Sequence, residues 1–305
     1  MRLDGRVAIV TGGARGIGEA ECVALAREGA AVIVNDFGGA ADGTGGAEQP
    51  AAQLADRITA EGGKAIPHFG DVSRMETGEE LVQLALNEFG RLDILVNNAG
   101  ILRDRMLHNM SEAEWDAVIA VHLKGTFVCT RAAATVFRDQ RSGAIVNTGS
   151  ESGLGNMGQA NYSAAKEGIV GFTRTVARDL GRYGVRCNVI RPRAATRLTL
   201  SDELKASIER AKAAGERAPD LSYIEKWVPS GVAALAVWLC TDAASNVNGQ
   251  DFVISAQQVS RMTIPSPEAS AFTEDVWTID QLDTLLPQSL TRGLRNEFAP
   301  KDKKG

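Results

Sequence analysis

An excess of positive charge, paired cysteines and long apolar runs are all missing from this 305-residue sequence. Its 33 basic residues are outnumbered by 38 acidic ones, and a net charge of −5 disfavours a nucleic-acid partner. No stretch of 18 apolar residues occurs, and the amino-terminal apolar run is too short for a signal peptide. We therefore expect a cytoplasmic protein without a membrane span. The four cysteines form no C-x-x-C pair, which indicates reduced, mostly buried thiols and no metal site.

What the sequence does contain is typical of a globular protein, with 44 % hydrophobic and 23 % charged residues. Short β-branched runs alternate with longer helical patterns, and most of the runs are continuously apolar, as in strands buried on both faces. This alternation predicts an α/β fold with one doubly wound parallel sheet of about seven strands and helices on both faces. The predicted strands are Val7–Thr11, Ala31–Asn35, Ala65–Phe69, Ile94–Asn97, Ala144–Asn147, Val185–Ile190 and Phe252–Ser255, and the predicted helices cover roughly 16–29, 47–61, 75–89, 111–138, 161–182 and 228–241.

Three segments depart from this alternation. Residues 1–260 are predicted to form one domain, and residues 261–305 an extension that packs on the domain or on a neighbouring subunit, with Lys301–Gly305 disordered. Residues 193–226 follow a strand and interrupt the pattern, as insertions that bind ligands do in α/β proteins. The glycine-rich run Phe37–Gly46 is expected to be a flexible surface insertion.

The first strand runs into the first helix through a glycine-rich turn of the form T-G-x-x-x-G-x-G. Glycines let a backbone turn tightly against a pyrophosphate, and the helix amino terminus directs N–H dipoles at it. A plain strand-to-helix turn is the alternative, but the position of this turn at the start of a βαβ unit favours a Rossmann-type dinucleotide site. The predicted cofactor-binding residues here are Gly12, Arg15, Gly16, Ile17 and Gly18.

Asp36 ends the second strand, 18 residues after Gly18, close to the spacing expected of the acid that binds the ribose hydroxyls. A carboxylate there would repel the extra phosphate of NADP. Arg15 argues the other way, because a cation in this loop could reach that phosphate. The carboxylate is the larger effect, so the sequence favours NAD, with NADP as the less favoured cofactor.

These residues and three further motifs resemble the short-chain dehydrogenase/reductase family over about residues 4–256. Asp71-Val72 is similar to the family's adenine-binding pair, and the N-N-A-G turn ending in Asn98, Ala99 and Gly100 is similar to its cofactor turn. Tyr162 and Lys166 match its Y-x-x-x-K catalytic motif, and Pro192 its cofactor-binding proline. Three stretches more narrowly resemble the (3R)-hydroxyacyl-CoA dehydrogenase domain of peroxisomal multifunctional β-oxidation enzymes: Val34–Gly39, Asn97–Arg105 with Val121–Gly125, and Gly155–Lys166. The resemblance implies NAD as cofactor and an oxidoreductase activity.

The predicted catalytic pair is Tyr162 and Lys166, which stand four residues apart and so share one face of a helix. A phenol with a pKa near 10 is a poor base at neutral pH. A nearby ammonium and the positive nicotinamide are expected to lower the pKa of the tyrosine. Tyr162 would then take the substrate hydroxyl proton, and Lys166 would also hold the nicotinamide ribose.

Two more residues complete the predicted machinery. The family's substrate-binding serine stands 13 residues before the tyrosine, whereas here Gly149 occupies that position and Ser150 stands 12 before. A loop shortened by one residue makes Ser150 the candidate, with Ser152 second. His122 replaces the family's usual asparagine and is expected to act in a proton relay, the alternative being a structural histidine.

Arginines around the predicted cleft suggest an anionic substrate. Pro192-Arg193 replaces the family's Pro-Gly, and a set of five arginines could place positive charge near an acyl-CoA. Solvated surface arginines are the plainer interpretation for any one of them. The five are Arg103, Arg105, Arg191, Arg193 and Arg197.

The leading function is therefore NAD-dependent oxidation of a secondary alcohol, with a 3-hydroxyacyl-CoA as a candidate substrate. One alternative is an NADPH-dependent 3-oxoacyl or ketone reductase. A second is a nucleotide-sensing regulator without turnover, which would be expected to have lost Tyr162 or Lys166. We expect a homotetramer or homodimer, with the helices at 111–138 and 161–182 at one interface.

Overall fold

The computed structural model describes residues 1–196 and 226–298. These contain one eight-stranded sheet with the spatial order β3-β2-β1-β4-β5-β6-β7-β8, in which only β8 is antiparallel. The predicted fold class is confirmed, with eight strands instead of about seven. The strands are β1 (Val7–Thr11), β2 (Ala31–Asn35), β3 (Lys64–His68), β4 (Ile94–Asn97), β5 (Gly143–Thr148), β6 (Val185–Pro192), β7 (Asp251–Ile254) and β8 (Val259–Arg261).

Helices cover both faces of the sheet. One apolar core lies between the sheet and α1, α2 and α7, and the other between the sheet and α3, α5 and α6. β1, β2 and β4 are buried along their whole length, which explains their continuous apolar runs. The α-helices are α1 (Gly16–Arg27), α2 (Gln49–Ala60), α3 (Met75–Phe89), α4 (Glu112–Ile119), α5 (Gly125–Gln140), α6 (Ala160–Gly181), α7 (Pro229–Cys240) and α8 (Ile279–Leu285).

The helix predicted over 111–138 is interrupted by a π-helical turn. Residues Ala120–Lys124 adopt this wider turn between α4 and α5, and His122 lies at its centre. Ser111 begins α4 with a capping box, accepting from the Glu114 backbone N–H while the Glu114 carboxylate accepts from that of Ser111. π-Turns inside α-helices are frequent at functional sites, so this irregularity draws attention to His122.

By length and composition, the run Glu112–Gln140 would also be able to cross a membrane. Its inner face packs in the protein core, where Val128, Ala133 and Phe137 are fully buried. The absence of a membrane span stays a prediction. Each of the four cysteines is a buried free thiol, as expected.

The chain divides into two compact units, Met1–Met262 and Thr263–Gly305. The first contains the whole sheet. In the second, a capping box at Thr278 begins α8, and no residue between 263 and 298 is buried. The packing of the extension stays a prediction. Residues 197–225 and Lys301–Gly305, including Arg197, lie outside the described residues.

Glu21 is an unexpected charged residue in the core, on the face of α1 that packs towards α7. Its side chain is fully buried, and neither carboxylate oxygen has a hydrogen-bond partner among the described residues. Burial raises the pKa of Glu21 from 4.5 to about 8. An isolated carboxylate is costly in an apolar core, so the folded protein keeps this acid protonated at neutral pH.

This shift predicts a loss of stability with rising pH. Above about pH 4.5 the unfolded chain ionises Glu21, while the folded chain keeps the proton until about pH 8. Unfolding therefore releases a proton in this window, and each unit of pH costs the folded state about 1.4 kcal/mol. Between pH 6 and pH 8 we therefore expect the Tm of the wild type to fall by roughly 5 °C more than the Tm of Glu21→Gln.

Thermal unfolding of both proteins across this range measures the effect. Glu19→Gln is the matched control, because Glu19 lies on the same helix but is partly exposed and pairs with Arg57. Parallel curves of Tm against pH for wild type and Glu21→Gln would show that the carboxyl group is not the source.

Candidate active site

The site lies at the carboxyl ends of the parallel strands. β1 pairs with β2 on one side and with β4 on the other, so the strand order reverses direction at β1. The loops that leave β1 and β4 therefore diverge over opposite faces of the sheet and leave a crevice between them. Ligands of open α/β sheets bind at such a switch point.

The turns after β1 and β4 are joined by reciprocal hydrogen bonds. The Thr11 hydroxyl oxygen accepts from the backbone N–H groups of Asn98 (3.1 Å) and Ala99 (3.2 Å). The Asn98 side-chain amide donates to the carbonyls of Thr11 (3.0 Å) and Gly12 (2.9 Å). Asn98, predicted to bind cofactor, thus uses its side chain to hold the glycine turn in place.

Glycine is required where these turns meet. Gly12 has φ +61°, and a Cβ there would lie 2.7 Å from the Cα of Ala99. A Cβ on Gly18 would lie 2.2 Å from the carbonyl oxygen of Gly12. Gly18 therefore allows α1 to pack closely on the turn and does not itself line the cleft.

A cleft of about 480 Å³ opens beside these turns, within the size range of ligand sites. The structure brings most of the predicted cofactor-binding residues together in its walls. These are Gly12, Arg15, Gly16, Ile17, Asp36, Asp71, Val72, Asn98, Ala99 and Gly100. Pro192 closes β6, where it pairs with Ile254 of β7.

Asp36 is fixed at the edge of the cleft by the backbone. One carboxylate oxygen accepts from the N–H of Ala14 at 3.0 Å, and the other from that of Gly38 at 2.7 Å. The guanidinium of Arg15 donates to the carbonyl of Gly39 at 3.2 Å. The carboxylate is thus held in the cleft wall by two main-chain donors, and Arg15 is turned towards the loop that follows.

That loop, Phe37–Gly46, is tied to the cleft and is not the loose surface insertion expected from its glycines. The Leu102 N–H donates to the carbonyl of Ala41, and the Arg103 guanidinium to that of Asp42, both at 2.9 Å. The Phe37 ring stacks on Phe69 with 5.3 Å between centroids. These contacts place the loop as one wall of the cleft.

The predicted catalytic residues meet at the amino end of α6. Lys166 is buried, and its Nζ donates to the carbonyl of Thr148 at 2.6 Å and lies 5.5 Å from the centroid of the Tyr162 ring. The Ser150 hydroxyl is near enough to Tyr162 to lower the pKa of its phenol, while its own Oγ accepts from the Ser152 N–H at 3.1 Å. Ser150 is thus the serine that acts on the tyrosine, and Ser152 helps to fix that hydroxyl through its main chain.

Burial changes the acid–base properties of this pair. It raises the pKa of Tyr162 to about 12, an effect that the Ser150 hydrogen bond opposes and the charge of Asp104 increases. It lowers the pKa of Lys166 to about 7, because a buried ammonium loses hydration. In the protein alone, burial therefore outweighs any effect of Lys166 on the pKa of the tyrosine, and the lowering expected from the lysine together with the nicotinamide stays a prediction.

His122 contacts both the cofactor turn and the catalytic tyrosine. Its Nε2 lies 2.8 Å from the carbonyl oxygen and 3.0 Å from the nitrogen of Ile101, and its ring meets Tyr162 edge-on at 5.1 Å. Burial, and then Lys166, lower the pKa of His122 well below its ordinary value, so the ring is neutral. Its buried Nδ1 has no partner within the described ranges. A Cβ on Gly100 would lie 2.3 Å from the ring, so this glycine makes room for the histidine.

The four described members of the predicted arginine set do not form a cationic patch at the cleft. Arg191 is buried and paired with Asp251 and Glu167, so it does not face a substrate. Arg105 pairs with Glu114 at 2.8 Å and Arg193 with Glu151 at 2.5 Å, which neutralises both. Of Arg103, Arg105, Arg191 and Arg193, Arg103 alone lines the cleft.

Sequence reasoning missed the residues that flank the catalytic tyrosine. The Asn161 side-chain amide donates to the carbonyls of Arg103 (3.0 Å) and Glu114 (3.1 Å), and that of Gln159 donates to Asp104 at 2.7 Å. These bonds fasten the chain after the N-N-A-G turn to the start of α6. Their signal was the run Q-A-N-Y itself, which places polar side chains at the beginning of a helix. Across residues 1–196 and 226–298, no group of three or more histidine, cysteine or acidic side chains is arranged to hold a metal ion.

Comparison with known proteins agrees with this geometry. A family model described as short chain dehydrogenase matches residues 6–205. The chain is 45 % identical over 311 aligned positions to hydroxyacyl-CoA dehydrogenase ChsB1 of Mycobacterium tuberculosis, covering 98 % of this chain and 90 % of that protein. It is 41 % identical over 263 positions to peroxisomal multifunctional enzyme type 2 of Mus musculus, covering 86 % of this chain and 33 % of the mouse enzyme.

A solved structure shows the same likeness in three dimensions. The crystal structure of a short chain dehydrogenase from Mycobacterium avium matches with a TM-score of 0.81 and 38 % identity, covering 95 % of this chain and 96 % of that one. Both levels of the resemblance found in the sequence are thereby confirmed. The chain belongs to the short-chain dehydrogenase family of nicotinamide-dependent oxidoreductases.

Proposed function

We propose that this protein is an NAD-dependent dehydrogenase that oxidises the secondary alcohol of a 3-hydroxyacyl-CoA to a ketone. The meeting of Tyr162 with buried Lys166, whose Nζ lies 5.5 Å from the centroid of the tyrosine ring, carries the proposal together with Ser150 beside them, because these are the groups that alcohol oxidation needs. The substrate class follows from the hydroxyacyl-CoA dehydrogenase that is similar to this chain over nearly its whole length.

The residues of the cleft fit a dinucleotide. Gly12 lines the cleft without a side chain, so the backbone there can approach a pyrophosphate closely. No side chain among the described residues caps α1, so its amino end is available to an anion. Asp36 would bind the adenosine ribose and Lys166 the nicotinamide ribose. When bound, the nicotinamide supplies the hydride acceptor.

The protein's own residues handle the proton. Ser150 and Tyr162 would bind the substrate oxygen, and Tyr162 would take its proton as the ketone forms. Lys166 and the nicotinamide would together favour the phenolate, since Lys166 by itself is only partly charged. His122, neutral and with Nδ1 without a partner in the described chain, can pass a proton onwards at that atom.

An absorbance assay of reduced nicotinamide tests this function. We expect NAD-dependent turnover of (3R)-hydroxyacyl-CoAs above that of simple alcohols and steroids. Tyr162→Phe should lower kcat by about 10²–10⁴-fold with little change in NAD affinity, because the ring and its packing remain. Tyr183→Phe is the matched control, since Tyr183 contacts surface arginines.

Two results would overturn the proposal. Near-full activity of Tyr162→Phe would show that the phenol is not the acid–base group. Turnover confined to NADPH and 3-oxoacyl substrates would establish the reductase alternative, and binding of nucleotide without any turnover would establish the regulator.

The two serines separate in a second test. Ser150→Ala removes the hydroxyl bonded to Tyr162, and kcat should fall by at least tenfold. Ser152→Ala keeps the backbone N–H that Ser150 accepts, so most activity should remain. Steady-state rates at saturating NAD make the comparison, and the reverse ranking would place the substrate-binding hydroxyl at Ser152.

Asp36 supports NAD over NADP, because its carboxylate is fixed where a 2′-phosphate would approach. We expect Asp36→Ala to raise the KM for NAD about 10–100-fold and to narrow the preference over NADP, through the loss of charge-assisted bonds and of repulsion. Kinetics with both cofactors measure this. Asp42→Ala, an exposed acid of the same loop, is the control, and a wild type that prefers NADP would contradict the assignment.

We also propose a homodimer or homotetramer. On the two helices expected at the interface, the apolar side chains of Val118, Ile169 and Val170 are buried in the protomer core. Phe127 is 43 % exposed and packs edge-on against Phe172 at 6.4 Å, so an apolar surface remains on α5 and α6.

Light scattering at micromolar concentration should give a mass of at least two chains. Phe127→Asp should shift the measured mass towards that of one chain, because the introduced carboxylate would be desolvated in the contact between subunits. A monomeric wild type would refute the assembly.

A further inference from the structure

Arg191 is the largest fully buried side chain of the described residues. It lies near the carboxyl end of β6, one residue before Pro192, and is 1 % exposed. An arginine remains charged in proteins, so burying it is costly unless every N–H group is matched by an acceptor. The acceptors around Arg191 therefore show what the guanidinium holds together.

Two of the acceptors are carboxylates on different elements. Nε lies 3.0 and 2.9 Å from the two carboxylate oxygens of Asp251, at the start of β7, and Nη2 lies 2.8 Å from one of them. Nη2 also lies 2.9 Å from Oε2 of Glu167. Asp251 anchors the guanidinium in the sheet, and Glu167 links it to α6.

The third acceptor belongs to the catalytic loop. Nη1 donates to the backbone carbonyl of Ser150 at 2.7 Å. A Cβ on Gly153 would lie 2.7 Å from Oε2 of Glu167 and 3.3 Å from Nη1, so the short helix Glu151–Leu154 sits directly on the ion pair. The guanidinium therefore holds the main chain at Ser150 in place.

Glu167 directly follows Lys166 on the helix that also carries Tyr162. One guanidinium therefore bonds both to the loop that presents the serine and to the helix that presents the tyrosine and lysine. Lysine could not replace it, because an ammonium has no planar fork to reach acceptors in three directions.

We propose that Arg191 is a positioning residue of the reaction, which fixes the Ser150 loop against α6 so that the serine and tyrosine hydroxyls share the substrate oxygen. The inference rests on the proposed dehydrogenase function. Displacement of a catalytic group by about 1 Å can cost about 10²-fold in rate. Arg191 would act on turnover without touching substrate or cofactor.

The first test is Arg191→Lys in the full chain. We expect kcat to fall about 10–100-fold with the dissociation constant of NAD within about twofold of wild type, because the cofactor cleft lies on other residues. Arg186→Lys is the matched control. Arg186 lies on the same strand and donates to the carbonyls of Leu239 (2.6 Å) and Thr241 (3.1 Å), far from the loop of Ser150. It should lose stability but keep its kcat.

A double-mutant cycle then identifies the route of the effect. If Arg191 acts by placing the Ser150 hydroxyl, Arg191→Lys should lower kcat less than about threefold once Ser150→Ala is present. If the two losses multiply in full, Arg191 does not act through Ser150 and the inference is overturned.

Glu167 provides the test if Arg191→Lys does not fold. Its side chain is 41 % exposed, so substitution there is mild. Glu167→Ala should lower kcat several-fold, and Glu167→Gln, which keeps an acceptor for Nη2, should restore most of it. Equal rates for Glu167→Ala and wild type would overturn the link to α6. A wild type inactive on every hydroxyacyl-CoA would instead refute the proposed function itself.

Discussion

The contact between the turns after β1 and β4 is the constraint on which the site depends. Thr11 and Asn98 exchange hydrogen bonds across it, and Gly12 and Ala99 approach too closely for a side chain between them. This contact closes the floor of the cleft, and it also sets the path of the chain through Gly100 and Ile101 to His122. The same contact therefore positions both the cleft and the predicted catalytic residues. It is made of backbone atoms and of the side chains of Thr11 and Asn98.

Two of the predicted catalytic residues, Lys166 and His122, are almost completely shielded from solvent. Lys166 and His122 are each 2 % exposed, and burial lowers the pKa of both, so neither group by itself supplies a full positive charge beside Tyr162 at neutral pH. The protein thus keeps its acid–base residues close to neutral, as a low-dielectric interior requires. At Arg191, by contrast, a buried charge is matched by two carboxylates.

Local pattern was enough to predict the parallel sheet, its first seven strands and the meeting of Tyr162 with Lys166. Each depends on short-range spacing, such as the offset of four positions from Tyr162 to Lys166. β8 was not predicted because its three residues, two of them polar, show no apolar pattern. Their strand conformation depends on pairing with β7. Arg191 was misplaced because its partners are 24 and 60 positions away. The rise in the pKa of Tyr162 in the protein alone was not foreseen, because burial depends on the whole fold and not on the motif.

The π-turn that carries His122 makes the length of its helix a matter of single residues. A π-turn holds one residue more than an α-turn, and each residue advances an α-helix by about 100°. The wider turn absorbs its extra residue, so α4 and α5 keep the faces that they would present in an uninterrupted helix. Deleting one residue from Ala120–Lys124 would therefore leave the apolar face of α5 on the sheet, but would move His122 out of the position in which its ring meets Tyr162 edge-on. The extra residue thus serves the placement of the imidazole and not the packing of the two helices.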